Sequence, residues 1–181
     1  MTHLSDAQSA VVDEAARPGL ADLVREVRRC TQQSSDPATI ATLVADELVR
    51  AEPTTALLTE EERAGSPEGY IRYTLHAEAA FSVVGVVWRP GQITEIHDHL
   101  VWCTFMILQG VESETLFDIV HGRLVEVGRR ERPTGSVSGV APPDDIHQVA
   151  NTGDDVAITL HVYGADLSEG TSVRRTYELP A

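Results

Sequence analysis

The sequence predicts a mainly β protein, a sandwich or barrel of short strands preceded by a helical N-terminal region. Three features carry that prediction. Up to about residue 59 apolar residues recur at helical spacing. From Tyr70 onward the chain changes to short β-branched and aromatic runs punctuated by turn residues. No helical pattern interleaves those runs, which argues against a parallel α/β sheet.

In the helical region Leu20, Leu23, Val24 and Val27 fall on one face, with Asp22, Arg25, Glu26, Arg28 and Arg29 around them. Pro18-Gly19 separates this helix from a weaker candidate that begins near Leu4. The next helix opens at Asp36-Pro37, an acceptor at the cap followed by proline in the first turn. It turns Ile40, Leu43, Val44 and Leu48 inward and should stop before Pro53. Residues 59–69, charged and rich in turn formers, read as a short helix and loop or as a linker. Strand candidates follow at 70–77, 81–88, 93–99, 102–109, 111–120, 123–131, 136–140, 146–150, 156–163 and 173–179. Turn residues such as Pro90-Gly91, Gly110, His121-Gly122 and Pro142-Pro143 divide them. We expect one domain with two regions, residues 1–69 helical and packed on a β-unit of residues 70–181.

At 181 residues and 42% hydrophobic content the chain can bury one sizeable core. Its net charge of −14 with His neutral argues against nucleic acid and anionic membrane as partners, since both repel it. No run approaches the roughly 20 apolar residues of a membrane span. The N-terminus has no basic segment followed by an apolar one, so no signal peptide is expected. A cytoplasmic monomer or weak homo-oligomer with free thiols at Cys30 and Cys103 is the corresponding expectation. Cys30, at the end of a helix, reads as a small packing residue.

The chemistry concentrates between Pro90 and Gly110, in PGQITEIHDHLVWCTFMILQG. His97 and His99 are two residues apart, so on a strand both imidazoles leave the same face while Asp98 points away. Two neutral imidazoles side by side suit a metal ion. Cys103 follows within reach of the same pocket. His147 is the next interior candidate; it opens a strand after the Pro142-Pro143 turn and an acidic pair, Asp144-Asp145, expected to be exposed. Three imidazoles from two strands form a facial set, whose open positions could take a bidentate substrate and dioxygen. The other histidines lack this context: His3 lies in a tail and His121 in a turn, while His76, evenly spaced from Arg72, could face the pocket but is expected to be solvated. Trp88 and Trp102 read as packing residues rather than substrate contacts.

These residues resemble the cupin superfamily. Its first motif runs from Gly through His-x-His and Glu to a second Gly, and Gly91, His97, His99, Cys103 and Gly110 stand at matching intervals. Its second motif, Pro-x-Gly-x-x-His-x-x-x-Asn, is matched by Pro142, His147 and Asn151, with Asp144 in place of the glycine. Cys103 stands where the usual Glu ligand would be. A cupin with that departure resembles the thiol dioxygenases, and specifically the cysteine dioxygenase family. The resemblance implies a double-stranded β-helix, a jelly-roll barrel, around a three-His Fe(II) centre that adds both atoms of dioxygen to a thiol and gives a sulfinate.

It also implies roles for further residues. Thr159, His161 and Tyr163 share one strand face and match the family's Ser-His-Tyr relay, with Thr for Ser. Cys103 and Tyr163 match two residues that some members join by a thioether. Tyr70 and Arg72 match the early strand whose Arg receives the substrate carboxylate, and Trp88 also fits. The physical reading agrees: neutral imidazoles leave the full charge on the iron, which favours thiolate, whereas a carboxylate ligand would cancel part of that charge. Expected partners are therefore a small thiol and dioxygen. L-cysteine is the favoured thiol, because related mercaptopropionate enzymes tend to carry Gln at the Arg72 position and Gly at the Cys103 position. Oxidation of 3-mercaptopropionate is the alternative, and a non-catalytic cupin that binds a small acid ranks below both.

Overall fold

The computed structural model describes residues 16–143 and 145–179; the helix candidate near Leu4, His3 and the motif residue Asp144 lie outside the described residues. Helix α1 (Leu20–Thr31) buries Leu20, Leu23, Val24 and Val27, the stripe that its spacing defines. Helix α2 (Pro37–Ala51) starts on Asp36, whose carboxylate accepts the Thr39 N–H at 2.8 Å and satisfies one free donor of the first turn. It buries Ile40, Val44 and Leu48, leaves Leu43 half-buried, and ends before Pro53. A 3₁₀ turn (Thr55–Leu57) and the short α3 (Glu60–Arg63), closed by a reciprocal Thr59–Glu62 cap, lead into the strands. Arg17 ties this corner together, donating to the Leu57 carbonyl at 2.6 Å and pairing with Glu62 at 2.8 Å.

The strands are β1 (Ile71–Glu78), β2 (Phe81–Trp88), β3 (Ile96–His99), β4 (Cys103–Gln109), β5 (Val111–Val120), β6 (Arg123–Pro133), β7 (Val137–Val140), β8 (His147–Asn151), β9 (Ala157–Tyr163) and β10 (Val173–Tyr177). Among the described residues they form two antiparallel five-stranded sheets, ordered β1-β2-β9-β4-β7 and β10-β3-β8-β5-β6. This is the expected double-stranded β-helix with helices ahead of it. Only the third strand is clearly shorter than its apolar pattern. Residues before Ile96 cross toward β8 instead, with Thr94 N–H donating to the Val149 carbonyl and Gly91 N–H to the Asn151 carbonyl, both at 2.9 Å.

Alternation decides what each strand of the first sheet contributes. Ile158, Leu160 and Val162 of β9, with Val83 and Val87 of β2, join α1 and α2 in the main apolar core. Val84, Val86 and Trp88 of β2, with Ala157 and Tyr163 of β9 and Cys103 of β4, face the other way, into the barrel. Helix α2 lies so close to β7 that a Cβ on Gly139 would stand 2.9 Å from the Ala41 carbonyl oxygen. Thr104 Oγ1 donates to that same carbonyl at 2.9 Å. Between β4 and β5, Gly110 adopts φ 80°, and a Cβ there would stand 2.9 Å from Ala157 Cα, which explains the motif glycine.

One expectation about alternation fails. A bulge in β1 between Thr74 and His76 reverses the facing of the residues beyond it. Arg72, opposite Val86, stays on the barrel side, whereas His76, opposite Val83, turns to Glu78 at 3.1 Å and lies against Phe81. His76 is thus neither solvated nor in the pocket. Trp102 packs in the main core at 5% exposure, as expected.

Candidate metal centre

The inner faces of the two sheets enclose a cavity of about 670 Å³ whose lining includes His97, His99, His147, Cys103, Tyr163 and Arg72. His97 and His99 leave one face of β3, and His147 stands directly opposite His97 in the β3–β8 ladder. All three imidazoles are buried, their ring centroids are 4.7–5.1 Å apart, and their possible ligand atoms lie within 4.8 Å of one another. Asp98 points out of the other face, as the alternation requires. It accepts from Tyr177 at 2.6 Å and pairs with Arg174, so β10 clamps the strand that carries the two histidines.

Each imidazole is oriented through its Nδ1. That atom is 2.9 Å from the Glu95 carbonyl in His97, 2.8 Å from the Asp145 carboxylate in His99 and 2.9 Å from the Glu114 carboxylate in His147. Acceptors at those positions put the ring proton on Nδ1 and leave Nε2 as a lone pair. His147 Nε2 is buried with no partner, which is the condition of a ligand atom without its ion. Burial, followed by the neighbouring His147 and His99, pushes His97 down to about 3, so it is neutral and able to coordinate at physiological pH. A set of three neutral, outwardly anchored imidazoles fits a divalent transition metal.

The anchors were largely invisible in the sequence. Asp145 was expected to be exposed; it is 6% exposed because its carboxylate accepts from both the ring and the backbone N–H of His99. Glu114 lies among alternating polar residues of β5 and would be read as a solvent-facing position. It instead bridges His147 and Arg132, which donates from Nε and Nη2 at 2.9 and 2.6 Å. Burial raises its carboxyl, but the His147 hydrogen bond and Arg132 outweigh that and hold it at about 2. Asn151, the motif asparagine, ties the loop beyond β8 to the first sheet, donating to the carbonyls of Trp88 and Asp155 at 3.0 and 2.8 Å.

Across the cavity, Cys103 and Tyr163 are direct partners in the β4–β9 ladder. His161 Nδ1 is 3.1 Å from Tyr163 Oη and 3.7 Å from Cys103 Sγ. Its ring stacks on both Tyr163 and Phe105. Burial pushes the Cys103 thiol and the Tyr163 phenol up, so both are protonated at neutral pH. Thr159 shares their face, but its hydroxyl bonds Glu112 and receives Trp88 Nε1 at 2.9 Å rather than bonding His161. Tyr70 stacks on Trp88 at 4.4 Å and lines the cavity. The Arg72 guanidinium lies 6.0 Å from the centroid of the Tyr163 ring.

A family profile described as cysteine dioxygenase type I matches residues 15–174. Among solved structures, the chain is similar to an uncharacterized conserved protein with a double-stranded β-helix domain from Klebsiella pneumoniae, at 18% identity over 64% of this chain and 94% of that one, with a TM-score of 0.47. It is also similar to a cupin superfamily protein from Desulfitobacterium hafniense, at 17% identity over 61% and 86% of the two chains, with a TM-score of 0.47. Among the described residues no helix is long and apolar enough to cross a membrane. The chain belongs to the cysteine dioxygenase type I family.

Proposed function

We propose that this protein is an iron(II)-dependent thiol dioxygenase that converts L-cysteine and dioxygen to cysteine sulfinate. The observation that carries the reading is the convergence of three outwardly anchored imidazoles on a cavity that also holds the Arg72 guanidinium. His97, His99 and His147 would hold iron(II), which would supply the positive charge that favours a substrate thiol as its thiolate.

The remaining chemistry belongs to the chain. Arg72 has no ion-pair partner among the described residues, so its donor fork is available for two hydrogen bonds to a substrate carboxylate. That favours an amino acid or a mercapto acid over a simple amine thiol. Tyr163, kept protonated by burial, is a hydrogen-bond donor at the cavity wall, and His161 orients it. Trp88 and Tyr70 stack to form an apolar wall that excludes water. The direct pairing of Cys103 with Tyr163 supports a thioether between Sγ and a ring carbon, formed during turnover as the thiol hydrogen and one ring hydrogen are lost in a two-electron oxidation by dioxygen. On a denaturing gel the cross-linked chain would run as a second band that disappears in Cys103→Ala.

The test compares two thiols on iron-loaded protein. L-cysteine should give the higher kcat/KM with sulfinate as product, and 3-mercaptopropionate the lower. A reversed preference would move the substrate assignment to the mercapto acid; no oxygen uptake with either thiol would sink the dioxygenase reading.

A further inference from the structure

One guanidinium reaches both walls of the cavity without lining it. Arg132, near the end of β6, donates from Nε and Nη2 to one oxygen of Glu114 at 2.9 and 2.6 Å, and the other oxygen of that carboxylate lies 2.9 Å from His147 Nδ1. The carboxylate is thereby held at both ends. The Arg132 Cζ also lies over the Phe105 ring, 5.1 Å from its centroid, and that ring stacks on His161 with centroids 5.5 Å apart and planes at 24°. His161 Nδ1 contacts Tyr163 Oη at 3.1 Å. Every link from His147 to Tyr163 is a direct contact, and Arg132 joins the two halves.

Those halves belong to different sheets. His147 and Glu114 stand on β8 and β5, whereas Phe105, His161 and Tyr163 stand on β4 and β9. Arg132 sits on the edge strand of one sheet and reaches the edge strand of the other: its Nη2 is 3.4 Å from Ser138 Oγ on β7, and Ser138 is the direct ladder partner of Phe105. No backbone ladder joins β6 to β7 among the described residues, so a side chain makes this crossing. Arginine suits it because the fork grips the carboxylate while the flat face lies on the ring. Neither Arg132 nor Glu114 is among the residues that line the cavity.

We infer that Arg132 is a positioning residue that braces the two walls of the cavity against each other, holding the His147 imidazole through Glu114 and the His161–Tyr163 pair through Phe105. The Tyr163 ring lies 6.0 Å from the ring of His99, so a small slip of one wall past the other changes how the phenol faces the three imidazoles. The brace is a property of the chain; its consequence for turnover rests on the dioxygenase reading.

The experiment uses the full-length chain and two readouts. One is the affinity of the metal-free protein for cobalt(II) alone, by calorimetric titration; the other is the carbon-bound proton NMR signals of His161, assigned by their loss in His161→Gln. Arg132→Met keeps the reach of the side chain but removes the fork and the flat face. It should weaken cobalt binding about tenfold and also displace the His161 signals. Phe105→Leu cuts one arm and should displace His161 alone, whereas Glu114→Gln cuts the other and should weaken cobalt binding alone. Arg132→Lys guards against misfolding, because it keeps a cation beside the buried Glu114. Its ammonium has no planar face, so cobalt affinity should stay within about threefold of wild type while the His161 signals remain displaced. In the iron-loaded enzyme the same variant should lower kcat about tenfold and leave KM for cysteine within about twofold. Unmoved His161 signals in Arg132→Met or Arg132→Lys would overturn the inference, leaving Arg132 a partner of Glu114 only. Undiminished cobalt affinity in Arg132→Met would overturn it from the other side. Both responses in a chain that oxidises no thiol would keep the brace and end the dioxygenase reading.

Discussion

The two faces of the first sheet use one backbone for opposite purposes. On β9, Ile158, Leu160 and Val162 are at most 1% exposed and pack against the helices, while Thr159, His161 and Tyr163 between them face the cavity. The helix side is an apolar layer whose contribution scales with the area removed from water. On the cavity side buried polar groups stay tolerable because nearly each is paired: His99 with Asp145, His147 with Glu114, Glu114 with Arg132. Among the described residues the unpaired buried side-chain atoms are Oδ1 of Asp98 and of Asp145 and Nε2 of His147 and of His161, and the His147 nitrogen lies where metal ligation is proposed. Damage to one face should therefore cost stability, and damage to the other should cost chemistry.

Mutations can break that division. The largest effect is expected from His97→Ala: negligible iron retention and no measurable thiol oxidation, with a far-UV spectrum and melting temperature of the metal-free chain close to wild type. Loss of the fold in that variant would show that the cavity side also carries the architecture. Leu160→Ala, on the helix side, should lower stability by about 2–5 kcal/mol in denaturant titrations while leaving kcat per folded molecule unchanged. Arg72→Ala should raise KM for cysteine roughly 10- to 100-fold, the loss of charge-assisted hydrogen bonds, with little change in unfolding midpoint. Unaltered cysteine kinetics would remove Arg72 from the substrate site.

The smallest effect concerns pH. Burial first, then the charges of His99 and Arg72, hold the His161 imidazole down at about 3. The unfolded chain takes up that proton first, so the associated stability is complete above about pH 6.5 and declines as pH falls toward about 3. At about pH 5 the wild type should have given up about 2 kcal/mol that His161→Gln does not lose, read from urea midpoints against pH. Parallel curves for the two proteins would mean that the ring is more hydrated than its burial indicates.

Much of this was legible in the sequence because alternation is a local rule. The His97–His99 pair, Asp98 pointing away, and the common face of Thr159, His161 and Tyr163 all follow from spacing on strands whose boundaries turn residues mark. The anchors were not legible because a barrel with a polar interior inverts the usual code. Glu112 and Glu114 resemble the wet face of β5, yet that face lines the inside. Asp145 follows a Pro-Pro turn, a context that reads as surface, and only the three-dimensional return of that turn brings it under His99. His76 was misassigned for a different reason: a one-residue bulge in β1 resets the parity that Arg72 obeys, and no turn residue in the sequence marks it.

The most direct test of the central claim follows the oxygen atoms. Iron-loaded protein turning over L-cysteine under isotopically heavy dioxygen should yield cysteine sulfinate with both sulfinate oxygens labelled, one dioxygen consumed per product. Cystine accompanied by hydrogen peroxide, or sulfinate with an oxygen drawn from water, would contradict it.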